Sequence, residues 1–145
     1  MYKKILVPLD GSHRSMAAAT HAVQIASKLN SKITFFHVVP NITPYGSKSG
    51  EHPGAAFKAI SREFEAMGES ILNDAENEFK EANVTIEKKL AWGKPEQEIC
   101  DEAKVGQYDL IIIGSRGLGE IKGYLMGSVS NRVSRHAPCP VLIVR

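Results

Sequence analysis

An open α/β sandwich, a mostly parallel five-stranded sheet with helices on both faces, is the fold this sequence predicts, and three observations predict it. Five apolar segments, KKILVPLD, KITFFHVV, VTIEKKLAW, YDLIIIG and PCPVLIVR, alternate with stretches that carry helical periodicity. Each gap between them is long enough for the helical crossover that parallel pairing requires. The 145 residues, 43% hydrophobic, suit one compact domain spanning 1–145 and are too few for two well-filled cores.

The first strand is read at Ile5–Leu9. The chain then turns at Gly11 into a helix capped by Ser12, with Met16, Ala19, Val23, Ala26 and Leu29 on its apolar face. KITFFHVV is the second strand and ends near Pro40. The stretch 41–56 carries the proline, glycine and polar residues of a loop that can cover a ligand. From Phe57 to Ala82, the residues Phe57, Ile60, Phe64, Met67, Ile71, Ala75 and Phe79 share one face of a long helix, which Gly68 either bends or weakens. VTIEKKLAW is the least hydrophobic strand and is placed near an edge. Pro95 opens the next helix, with Ile99 and Ala103 inward, and YDLIIIG is the fourth strand. Ser128–His136 forms a short helix before the fifth strand, whose prolines lie at its start, where a missing donor is tolerated.

Composition excludes several function classes. Eighteen basic against sixteen acidic residues leave a net charge of +2, with no basic run to recommend nucleic acid. No stretch is long and apolar enough for a membrane, and the segment before Asp10 is too short for a signal peptide, so a cytoplasmic location is expected. Cys100 and Cys139 have no close pair spacing, and the five histidines, His13, His21, His37, His52 and His136, show no ligand spacing for zinc. Neither a P-loop nor a G-x-G-x-x-G fingerprint follows the first strand, and there is no G-x-S-x-G elbow.

What remains is a glycine pattern after the fourth strand: Gly114-x2-Gly117-x9-Gly127-Ser128. It ends where the last helix begins. The unpaired first-turn amides of Ser128 and Val129, with the hydroxyls of Ser128 and Ser130, suit a phosphate group; the plainer alternative is a turn in which Ser128 only caps the helix. Arg116 and Lys122 are the basic partners available in the loop. Asp10, at the carboxyl end of the first strand, is suited to accept from ribose hydroxyls or to hold a divalent cation; otherwise it is an Asx cap for the first helix. His13 is read as a surface residue at a helix start, and Trp92 as core or dimer packing rather than a base-stacking ring.

Together these residues resemble the universal stress protein family in its nucleotide-binding branch, whose loop reads G-x2-G-x9-G-[ST]. The resemblance runs the whole chain, through KKILVPLDGS, HVV, GKP, YDLIIIGSRG and LMGSVSNRVSRHAPCPVLIV. It implies a Rossmann-like, adenine nucleotide alpha hydrolase-like fold and a site for ATP, ADP or AMP. In that site Pro8 and Asp10 line one wall, the Val38 backbone meets adenine and Asp10 meets the ribose. Leu9 stands where some relatives carry a small polar residue, which leaves only its backbone for contact. Gly114 and Gly117 let the loop approach, and Gly127, Ser128 and Ser130 meet phosphates. Magnesium at Asp10 is implied only as company for ATP. The resemblance also implies a homodimer joined through the last strand, whose edge such pairing would cover. The function expected is stress response through nucleotide binding rather than dedicated catalysis. A slow magnesium-dependent ATPase is one alternative, and a regulatory protein that binds its unknown partner without nucleotide is another.

Overall fold

The computed structural model describes residues 1–41, 54–117 and 126–145. In chain order the elements are β1 (Lys4–Pro8), α1 (His13–Leu29), β2 (Lys32–Val39), α2 (Ala55–Glu78), β3 (Thr85–Trp92), α3 (Pro95–Val105), β4 (Leu110–Gly114), α4 (Ser128–His136) and β5 (Val141–Val144). The strands form one sheet in the order β3-β2-β1-β4-β5, with every neighbouring pair parallel. β3 is an edge, as its composition predicts, and β5 is the other. No helix among the described residues is long and apolar enough to cross a membrane.

Alternation along the buried strands divides the core into two layers. Ile5, Val7, Ile33, Phe35, Leu110 and Ile112 point toward α1 and α2; Leu6, Phe36, Val38, Ile111 and Ile113 point toward α3 and α4. Both faces of the central strands are covered, which is why β1 and β4 read as unbroken apolar runs. The buried face of α1 consists of Ser15, Ala18, Ala19, Ala22, Val23 and Ala26, mostly small residues that let the helix axis lie close to the sheet. Ser12 caps α1 as expected, its hydroxyl accepting the Ser15 N–H at 3.2 Å.

Three expectations need correction here. Leu29 is 41% exposed, because the inward face of α1 is centred on Ala18, Ala22 and Ala26. In α2 only Gly68, Leu72 and Ala75 are buried, while Ile60, Phe64 and Met67 of the predicted apolar face are exposed. The reason is length. Gly68 lies against His37 and Leu90, near the carboxyl ends of β2 and β3, so most of the roughly 20 Å of α2 before Gly68, at 1.5 Å per residue, extends beyond the ends of those strands. Gly68 itself neither breaks nor ends α2; a methyl group there would stand 2.5 Å from His37 Cδ2. Lastly, Trp92 closes the edge strand β3 with 37% of its surface exposed, which corrects the core half of its reading and does not bear on the dimer half.

Candidate functional site

In a sheet ordered 3-2-1-4-5, the crossovers from β1 and β4 leave on opposite faces, and a cleft opens between the carboxyl ends of those strands. Such a cleft is present, with a volume of about 750 Å³ out to its open mouth. Its residues come from every layer of the fold. Pro8, Leu9 and Asp10 enter from β1, Val38 from β2, Gly114, Arg116 and Gly117 from the end of β4, and Gly127, Val129 and Ser130 from the start of α4. Of the residues singled out from the sequence, Ser128 alone does not line it: as the first residue of α4, its side chain turns to solvent. Lys122 and most of the 41–56 loop lie outside the described residues.

Local chemistry explains how the wall at Asp10 is held. Asp10 Oδ1 accepts the Ser12 N–H at 2.9 Å, while the Ser15 hydroxyl donates to the Ser12 carbonyl at 2.9 Å. The Asx turn weighed as an alternative role for Asp10 is therefore formed, and it aims the carboxylate at the cleft rather than consuming it. The other carboxylate oxygen lies against Gly117, where a Cβ would collide with it. Gly114 is equally crowded: a Cβ there would stand 2.8 Å from the Arg14 carbonyl. These two glycines make room for Arg14 backbone and for the Asp10 carboxylate, contacts that the glycine spacing does not disclose.

The start of α4 is anchored through Ser115. The Ser115 carbonyl accepts the Gly127 N–H at 2.7 Å and the Ser130 hydroxyl at 2.8 Å; its own N–H donates to the Val144 carbonyl at 2.7 Å. Arg14 Nη1 donates to the Ser115 hydroxyl at 3.0 Å, which brings a cation that sequence reasoning passed over close to the cradle. Gly127 occupies the cap position and supplies no side-chain bond, and the first intrahelical donor is Asn131, bonded to the Gly127 carbonyl at 3.0 Å. The amides of Ser128, Val129 and Ser130 consequently have no intrahelical acceptor. The Ser130 hydroxyl is engaged with backbone carbonyls, so the donors at this end are amides.

Sequence reasoning also missed Ser15, Phe36, His37, Pro95, Ile99 and Ile113, which line the cleft. Ile99 and Pro95 were read only as core and helix start. Strand alternation could have found Phe36 and Ile113, since both share the parity of Val38 on the α3–α4 side. The described residues contain no group of three or more His, Cys, Asp or Glu arranged to hold a metal ion. Cys100 and Cys139 are free thiols, and burial pushes both pKa values up, which keeps them protonated.

Comparison with known proteins gives one consistent family. The family model described as "Universal stress protein family" matches residues 1–145. The universal stress protein YxiE of Bacillus subtilis is 36% identical over 148 residues, covering 100% of both chains. Among solved structures, the universal stress protein UspA of Lactobacillus plantarum superposes with a TM-score of 0.80 at 27% identity, over 99% of this chain and 98% of that one. A crystal structure of a universal stress protein in complex with cAMP superposes with a TM-score of 0.73 at 30% identity, over 99% of this chain and 97% of that one.

Proposed function

Because the chain belongs to the universal stress protein family, we propose that it is an adenine-nucleotide-binding member of the ATP-binding branch, acting in stress response by binding rather than by dedicated catalysis. The observation that carries this reading is the cleft itself. It brings an open strand end, a carboxylate and an uncapped helix N-terminus to one cavity, groups that suit base, ribose and phosphate respectively. The amides at the start of α4 carry the positive end of the helix dipole and suit phosphate oxygens. Asp10 suits the ribose hydroxyls, which donate to a carboxylate. The cAMP complex of a relative at 30% identity supports an adenine ligand on this scaffold. Because the described residues build no metal centre of their own, Asp10 can offer magnesium one carboxylate and the remaining ligands must come from elsewhere.

Magnesium ATP is expected to raise the melting temperature. At a concentration one hundred times Kd the gain is about 2.7 kcal/mol, or roughly 8 °C for a domain of this size. Calorimetry without heat, together with an unshifted melt of folded protein, would overturn the reading in favour of a partner-binding protein that uses no nucleotide. Phosphate release at about 1 per second or faster would make it an enzyme instead.

We further propose that the β5 edge pairs with a second copy of the chain. Among the described residues β5 pairs only with β4, and Leu142 is 38% exposed on it. Sedimentation equilibrium is expected to give twice the chain mass for the wild type and the chain mass for Leu142→Lys; a monomeric wild type would refute the pairing.

A further inference from the structure

We propose that His37 is a positioning residue that ends the β1–β2 ladder and so keeps the Val38 peptide edge open to a base, an inference that rests on the adenine reading above. In a strand the N–H and C=O of one residue point to the same side, and residues two apart point alike. The Phe36 carbonyl accepts the Leu9 N–H at 2.8 Å, so the polar edge of Phe36 faces β1, and that of Val38 does the same. Regular continuation would make the next rung a bond from the Val38 N–H to the Leu9 carbonyl. Among the described residues that bond does not form. The Leu9 carbonyl is instead 2.7 Å from His37 Nδ1. A carbonyl only accepts, so Nδ1 carries the hydrogen and donates it.

Two further observations agree. β1 stops at Pro8 while β2 continues to Val39, and Val38 lines the cleft beyond that stop. The imidazole is also held from behind, because α2 presents bare backbone to it at Gly68: a methyl group there would stand 2.5 Å from Cδ2 and 3.1 Å from Nε2. This accounts for a glycine in mid-helix, a choice that costs about 1 kcal/mol relative to alanine. Without the imidazole donor, the Leu9 carbonyl would need another partner, and ladder geometry makes the Val38 N–H the nearest one. The side chain of His37 thus stands in for a backbone donor, and the backbone donor is left for the ligand.

Amide hydrogen exchange on the nucleotide-free protein tests this directly. The Val38 amide is expected to exchange fast in the wild type and in His37→Asn, whose amide nitrogen can take the place of Nδ1, and at least tenfold more slowly in His37→Leu. Titrations with adenosine, AMP and ATP are expected to weaken by the same factor in His37→Leu, about tenfold, with recovery in His37→Asn. Binding of inorganic tripolyphosphate should not change. Should His37→Leu fail to fold, Gly68→Ala displaces the ring from behind and carries the same expectations. A Val38 amide already protected in the wild type, or undiminished adenosine binding by His37→Leu, overturns the proposal. A wild type that binds no adenine nucleotide sinks the adenine reading instead, and the exchange rates then decide the role of His37 alone.

Discussion

Gly114→Ala is expected to lower stability by about 3 kcal/mol, roughly 10 °C in melting temperature, although it adds a single methyl group. That methyl group would stand 2.8 Å from both the carbonyl carbon and the oxygen of Arg14, and 3.0 Å from the Ser15 nitrogen. All three atoms are backbone of the first turn of α1, so no rotamer change relieves the contact. Either α1 lifts from the sheet or β4 shifts between β1 and β5. Lifting α1 would expose the alanine face packed on Ile5, Val7 and Ile112. Urea melts followed by circular dichroism measure the loss. A change within 0.5 kcal/mol would mean that the junction of β4 and α1 is looser than its geometry.

Gly117→Val separates binding from folding. Its Cβ would fall on Asp10 Oδ2, while Oδ1 accepts the Ser12 N–H at 2.9 Å. The carboxylate must rotate and surrender that bond. The cost to folding is that of one weakened helix-start interaction, about 1 kcal/mol. If Asp10 meets the ribose as proposed, the cost to ligand is that whole contact, a hydrogen bond to a charged group worth about 1.5–3 kcal/mol, so ATP affinity is expected to fall about 10- to 100-fold. Isothermal titration beside a ligand-free melt distinguishes the two. Unchanged affinity for ATP would remove Asp10 from the site.

The parallel sandwich was legible because each crossover carries a helical pattern and because KILVP and LIIIG are apolar on both parities, as central parallel strands must be, whereas the strand order came only with the structure. The bounds of α4 were legible too, since Ser128–His136 is closed by the prolines that follow it. The face of α2 misled for a physical reason. Periodicity reports which side of a helix is apolar but not where the sheet stops, so Ile60, Phe64 and Met67 count as core by pattern and stand exposed by position. The glycine spacing pointed to the right region while concealing what Gly114 and Gly117 accommodate, because an absent side chain carries no mark of its neighbour. His37 was read as part of the HVV that closes the second strand and as one of five scattered histidines, with no role of its own. Its bond to the Leu9 carbonyl depends on the register between two strands, a quantity that no single segment encodes.

The cleft draws its wall from Pro8 to Asp10 and its cradle from Gly127 to Ser130, near opposite ends of the chain. An occupant touching both is therefore a reversible tie across almost the whole sequence. In chain-entropy terms it resembles a cross-link that closes a very long loop, except that it forms only in the folded state and comes and goes with ligand concentration. Neither end holds it alone, since the carboxylate and the amides meet only when β1 and β4 lie side by side. Occupancy of the proposed site would thus read the integrity of the entire fold, and a partial unfolding at either end would release an occupant that depends on both.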